Sequence, residues 1–357
     1  MKLSAFKLTA AVLALSVGAT TASAEDQWYP FKVMDATNGV ENRAEAAYTP
    51  LEKAEKPLNI CVLFPHLKDS IWLAINYGIA KEAERLGVNM TLFEAGGYAN
   101  LPRQLAQFDD CLAGGYDAIV AGVISEGGLA QKLKEANEAG IPVVAVLNVI
   151  AEAPIAGRVY PDIPDMTKVS AEFMAGMLDG AEGKVVTFPG PAGSGWAELF
   201  NDHFKGDIAA HENVEVIGER FGDSGVAVQL GLIQDALQSY PEMNAMYGGA
   251  PAVEAAVGAL AAAGKYDFVM VPAYENDAIH FMVESGELPG FVTQYPVAQG
   301  RVALDMAVRA VEGSLTMNFV NPIPEAVDSE TLKATDKSVA IAAPKGFSAT
   351  YQVNISN

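Results

Sequence analysis

From Leu58 onward the chain alternates short apolar runs with longer amphipathic ones, and that rhythm leaves few folds open. Runs of strand length fall at residues 60–64, 90–93, 118–123, 143–147, 185–188, 214–217, 245–247, 268–272 and 291–295. Helical patterns separate them, at 72–86, from Asn100 to Cys111, and at 129–139, 169–178, 226–239, 253–263 and 302–311. Strands and helices alternating through short loops make parallel sheets with helices on both faces. So many strands overfill one twisted sheet, so two sheets in two lobes are expected. Gly87, Gly140, Gly264 and Gly286 stand where helix patterns stop and can supply left-handed caps.

The first 24 residues read as a signal peptide rather than as part of the fold. Lys2 and Lys7 give a basic start, residues 8–17 an apolar core, and Ala22-Ser23-Ala24 a small-residue cleavage pattern. The apolar core is too short to span a bilayer, and no later run is long enough. The mature chain is therefore expected to begin near Glu25 and to be soluble in the periplasm, with no direct membrane insertion. Residues 25–56 read as an extended N-terminal arm. A net charge of -21 argues against nucleic acid and anionic membrane surfaces as partners. The two cysteines, Cys61 and Cys111, would meet an oxidising compartment after export. They can pair as a disulfide or stay as two buried thiols.

Polar and aromatic residues collect where strand patterns end, which is where open α/β sheets bind ligands. Asp69, Ser70 and Trp72 follow the first strand, and Glu94-Ala95-Gly96-Gly97-Tyr98 follows the second. Asp69 and Ser70 each read either as a helix N-cap or as a cleft residue. Trp72, Tyr98, Tyr274 and, less clearly placed, Trp196 are aromatics near loop ends, able to face a small polar or cationic molecule. The Gly-rich loops at 126–128 and 190–195 lack the Gly-Lys-Ser follow-up of a phosphate site. No nucleophile elbow or metal-ligand spacing appears, so neither catalysis nor a metal or other cofactor is expected.

Several phrases carry a family resemblance. Gly140-Ile141-Pro142-Val143-Val144, Tyr116-Asp117-Ala118-Ile119-Val120, and Thr293-Gln294-Tyr295 through Gln299-Gly300 resemble the type I periplasmic binding proteins, the family of ribose-binding protein. The resemblance implies two doubly wound parallel-sheet lobes joined by a three-crossover hinge. The lobes would be 57–160 plus 296–326 and 161–295 plus 327–357, with crossings near Val159, Tyr274 and Pro296. Residues 65–77 and 94–98 are more narrowly similar to TorT-like proteins of trimethylamine-N-oxide sensing, where Cys61, Cys111, Asn148 and Tyr274 also fall in register. Gln294 matches a hinge position that contacts ligand in sugar binders. Leu147-Asn148 replaces the Asp-Arg pair those proteins use for sugar hydroxyls.

What this implies is a small-molecule ligand, trimethylamine N-oxide or a related methylated amine. The implied partner is the periplasmic domain of a TorS-like histidine kinase; the alternative is an ABC permease. Ile71 and Ile163 stand where aromatics are expected in that group, and Trp196 is an aromatic its pattern lacks.

Overall fold

The structure, a computed structural model, describes residues 28–355. The signal-peptide reading of residues 1–24 lies outside the described residues. The N-lobe opens with β1 (Phe31–Asp35) and β2 (Ala44–Tyr48). Then come β3 (Asn59–Phe64), α1 (Ser70–Leu86), β4 (Asn89–Glu94), α2 (Leu101–Ala113), β5 (Ala118–Ala121), α3 (Glu126–Glu138), β6 (Val143–Val146) and β7 (Gly157–Val159). The C-lobe follows as α4 (Ile163–Leu178), β8 (Gly183–Phe188), α5 (Trp196–Ile208), β9 (Val214–Glu219), α6 (Val226–Ser239), β10 (Ala245–Gly248), α7 (Ala250–Ala262), β11 (Val269–Pro272), α8 (Asp277–Ser285) and β12 (Gly290–Thr293). The chain then returns through α9 (Pro296–Glu312) and β13 (Phe319–Pro322), crosses to β14 (Glu325–Asp328) and α10 (Ser329–Ala334), and ends with α11 (Lys337–Ala340) and β15 (Gln352–Val353).

The expected two-lobe α/β architecture holds. The N-lobe sheet runs β15-β4-β3-β5-β6-β7-β13-β1-β2, parallel from β4 to β13 and antiparallel at both edges. The C-lobe has a parallel sheet, β11-β10-β8-β9, and the antiparallel pair β12-β14. β3 is buried along nearly its whole length, as a central strand covered on both faces must be. Gly87, Gly140, Gly264 and Gly286 all adopt left-handed backbone, as their positions after helix patterns require. Cys61 on β3 and Cys111 on α2 are bonded, with Cα atoms 5.9 Å apart.

Three expectations need correction. The described part of the expected arm, residues 28–56, is not a separate extension. β1 pairs with β13 and β2 with β1, so the segment completes the N-lobe sheet. Buried polar contacts fasten it: Trp28 Nε1 donates to Glu82 at 3.0 Å and the Tyr48 hydroxyl to Asp305 at 2.6 Å. Nor does 327–357 belong wholly to the C-lobe. α10 packs on α8, but α11 lies on α9 and β15 pairs with β4. Asn76 of α1 holds that return segment by bonding both the N–H and the C=O of Thr350, at 2.7 and 2.9 Å. Finally, Tyr274 is no crossing. The chain enters and leaves the loop around it within the C-lobe, and the hinge passes through residues 160–162, 294–295 and 323–324.

Helices α1 and α9 share the most extensive contact between elements. Gly78 and Gly300 meet there without side chains between the two backbones. A Cβ on Gly78 would lie 2.1 Å from the carbonyl oxygen of Val297, and one on Gly300 would lie 2.3 Å from that of Ile75. Both helices begin beside the cleft, α1 after Asp69 and α9 after Gln294. This crossing therefore fixes one end of the site against the other.

Candidate functional site

Between the lobes lies a cavity lined by residues at the carboxyl ends of the strands. The N-lobe contributes His66, Asp69, Ile71, Trp72, Tyr98, Leu147 and Asn148. The C-lobe contributes Trp196, Phe200, Ser224 and Tyr274, and the hinge Pro161 and Gln294. Of the sequence-selected residues, Trp72, Tyr98, Tyr274, Asp69, Asn148, Gln294 and Trp196 come together here. Ser70 does not line the cavity. It is the first residue of α1, turned away from Asp69 by the helical step of about 100° per residue, and its Oγ accepts from the Asp277 N–H at 3.0 Å. Ile163 is buried at the start of α4 and Pro161 takes the lining position.

Sequence reading misses His66, Phe200 and Ser224. Phe200 stands four residues after Trp196 on α5, so both rings share one helix face. That spacing is a signal the sequence offers. His66 sits within the same polar run as Asp69, but a single histidine carries no pattern of its own.

Asp69 does both jobs proposed for it. It caps α1 by accepting from the Ile71 N–H at 3.3 Å, and it receives the Tyr274 hydroxyl and Asn276 Nδ2, each at 3.0 Å, from the other lobe. Burial pushes its carboxyl up to about 6, against the opposite pull of those hydrogen bonds. Asn276 in turn caps α8 by accepting from Ile279 N at 3.1 Å, so its amide is fully oriented. Behind Gln294 sits Glu275, wholly buried and pushed up to about 7 by that burial; it accepts from the Thr293 hydroxyl at 2.7 Å and the Gln294 N–H at 3.1 Å.

Other polar groups of the lining keep unused hydrogen-bonding capacity. Tyr98 oxygen accepts from Asn148 Nδ2 at 2.8 Å and from Trp196 Nε1 at 3.0 Å. A phenol has two lone pairs and one proton, so with both lone pairs occupied Tyr98 can only donate further. Burial pushes His66 down to about 4, so its ring is neutral at neutral pH. Its Nδ1 accepts from the Lys68 N–H at 3.3 Å, which assigns the proton to Nε2. Nε2 is buried and has no partner among the described residues. His66 and Tyr98 thus bring two donors to the lining of a cavity walled by Trp72, Trp196, Phe200 and Tyr274, and Gln294 Oε1, also buried without a partner among the described residues, brings an acceptor.

Two non-glycine residues flank the site in left-handed backbone, Leu147 at φ 63° and Tyr295 at φ 58°. Each precedes or follows a lining polar residue, Asn148 or Gln294, and such strain costs about 1–2 kcal/mol per residue. No group of three or more His, Cys, Asp or Glu side chains suited to a metal occurs among the described residues. No helix among them is long and apolar enough to cross a membrane.

Two lobes closed over an internal, aromatic-walled cavity are the build of a solute-binding protein. The family described as "Periplasmic binding protein domain" matches residues 60–315, and the chain belongs to it. It is similar to periplasmic protein TorT of Escherichia coli K12, 30% identical over 85% of this chain and 87% of TorT. It is also similar to the ribose import binding protein RbsB of the same organism, 24% identical over 71% of this chain and 85% of RbsB. Among solved structures, an ABC transporter solute binding protein from Bradyrhizobium sp. BTAi1 with bound bis-tris matches at TM-score 0.76 and 35% identity, over 91% of this chain and 99% of that one. A chain from the complex of the TorS sensor domain with TorT, in the presence of TMAO, matches at TM-score 0.72 and 26% identity, over 82% of this chain and 99% of that one. These relatives are binding proteins rather than enzymes.

Proposed function

We propose that this protein is a periplasmic receptor that closes on trimethylamine N-oxide or a closely related methylated amine and presents the closed state to a membrane histidine kinase. The observation that carries this reading is the pairing of two unfilled donors, Tyr98 O–H and His66 Nε2–H, with an aromatic wall. An amine oxide has the complementary halves. Its oxygen accepts hydrogen bonds, and its methyls, carried on a positive nitrogen, lie against ring faces. Asp69 supplies negative charge beside them.

The kinase partner rests on the similarity to TorT, which is known in complex with the TorS sensor domain. A second reading, ligand delivery to an ABC permease, is favoured by the Bradyrhizobium relative, an ABC transporter solute binding protein. Capture of a kinase ectodomain or of a permease by the liganded protein separates the two. Residues 1–24 would be removed on export, leaving Glu25 as the first residue of the periplasmic form.

Titration calorimetry against methylamines, betaines, sulfoxides and sugars tests the ligand class. Trimethylamine N-oxide should bind and ribose should not. Ligand that touches both lobes shifts their equilibrium toward closure, so X-ray scattering should give a smaller radius of gyration with it. Micromolar binding of a pentose or hexose, with none of any methylamine, overturns the reading.

A pH dependence follows from Asp69. Its folded-state value, about 6, lies above the ordinary 3.8. Between those values the folded protein keeps a proton that the unfolded chain releases, so stability falls as pH rises through the window. Binding of a permanent cation runs the other way, because only ionised Asp69 offers a counter-charge. Affinity for tetramethylammonium should therefore rise with pH up to about 6 and level off above it, and Asp69→Asn should flatten the profile. Calorimetry across the range measures this, and an equally steep profile in the Asn variant would locate the titrating group elsewhere.

A further inference from the structure

We propose that Gly122 sets the size of ligand this protein accepts, by giving the Trp72 indole the space that a side chain would fill. The proposal rests on the reading of the interlobe cavity as the ligand site. Gly122 follows β5 directly. A Cβ built on it would lie 2.4 Å from Trp72 Cη2 and 2.5 Å from Cζ3, and its next neighbour is the Leu63 oxygen at an ordinary 3.5 Å. The collision is therefore with the indole alone.

The strand end cannot retreat from that collision. The Gly122 N–H donates to the Leu63 oxygen at 2.8 Å, and its own oxygen accepts from Gln104 Nε2 at 3.0 Å. Gln104 is wholly buried, and its Oε1 receives the Ile124 N–H at 2.7 Å, so one side chain pins the backbone on both sides of the turn. The indole must give way instead. Its inner side rests on Phe64, with ring centroids 4.8 Å apart, and the open space it borders is the cavity. Reaching ordinary contact needs a ring displacement of roughly 1 Å. Because Trp72 lines the cavity, that movement takes space the ligand needs.

Gly122 is not in the left-handed region of backbone, so alanine there adds no strain of that kind and tests the seat of the ring. Gly190 seats the Trp196 indole from the other lobe in the same way, with Cη2 2.6 Å from a built Cβ, but its φ of +118° would strain any substitution.

The experiment compares wild type, Gly122→Ala, Trp72→Phe and the double variant by calorimetry with trimethylamine N-oxide, with thermal unfolding of each and a crystal structure of Gly122→Ala. Gly122→Ala is expected to weaken binding at least about tenfold. Phenylalanine lacks the outer ring that the new methyl strikes, so the double variant should bind more tightly than Gly122→Ala alone. The crystal structure should show the indole moved into the cavity. Wild-type affinity in Gly122→Ala, an unmoved ring, or simple addition of the two losses would overturn the proposal. Should Gly122→Ala fail to fold, recovery of folding in the double variant supports the seat and its absence refutes it. If wild type does not bind trimethylamine N-oxide at all, the ligand reading fails, and the ring position in the crystal still decides the role of Gly122.

Discussion

Gly300→Val should leave no folded protein, and Gly300→Ala should cost several kcal/mol. The reason is the crossing of α1 and α9. A Cβ at 300 would lie 2.3 Å from the Ile75 carbonyl oxygen and 3.1 Å from the Ile79 nitrogen, which are backbone atoms of a helix. A flexible side chain could swing aside, but a helix backbone moves only as a body. α9 is buried without interruption from Pro296 to Val308, so shifting it disturbs both the N-lobe core and the hinge next to Gln294. Overpacking a well-filled core costs about 1–3 kcal/mol when side chains can yield, and here they cannot. Gly78→Ala should behave alike, because its Cβ would meet the Val297 oxygen at 2.1 Å. Urea unfolding of the alanine variants measures the effect. Stability within about half a kcal/mol of wild type would show that the two helices can part, contrary to this account.

Trp72→Ala should weaken binding of trimethylamine N-oxide at least about 20-fold. Trp72 is 2% exposed, lines the cavity, and stands beside both His66 and Phe64. A desolvated contact between a cationic group and an indole face contributes about 2 kcal/mol or more, and each 1.4 kcal/mol is tenfold in affinity. Trp72→Phe keeps a ring face and should keep part of the affinity. The fold should survive, because α1 is held by its Asp69 cap and its crossing with α9. Calorimetry and thermal unfolding on the same samples check both halves. Normal binding in Trp72→Ala, or outright unfolding, would falsify the placement of Trp72 as a ligand wall.

Most of the framework was legible because the central strands are short apolar runs between amphipathic helices, a pattern that parallel sheets impose on sequence. The N-terminal hairpin was not. Phe31-Lys32-Val33-Met34-Asp35 and Ala44-Glu45-Ala46-Ala47-Tyr48 are weak strands by themselves, and β1 gains its partner from Phe319–Pro322, nearly the whole chain away. The same holds for Gln352–Val353, a two-residue strand defined only by the β4 edge it meets. Within the site, Trp72, Tyr98 and Tyr274 were readable because each follows a strand. Ser224 enters the cavity only through the way the second lobe docks on the first, and adjacent positions such as Asp69 and Ser70 part company once a helix begins between them. The hinge was misplaced at Tyr274 for a related reason. A loop that carries site residues looks like a crossing in sequence, whether or not the chain changes lobe there.

The pairing of β15 with β4 has a consequence for how the molecule comes together. An uncovered edge strand offers its free N–H and C=O groups to any neighbouring chain. One edge of the N-lobe sheet is formed by the hairpin at residues 31–48 and the other by residues 352–353, among the first and the last described residues of the chain. Until the last described strand is in place β4 stands bare along one side, and such an exposed edge is open to misassociation. Only the arrival of the C-terminal segment, pinned by Asn76 beside Thr350, shields it. A chain truncated before that point would still carry the whole cavity, yet leave the sheet sticky along one side.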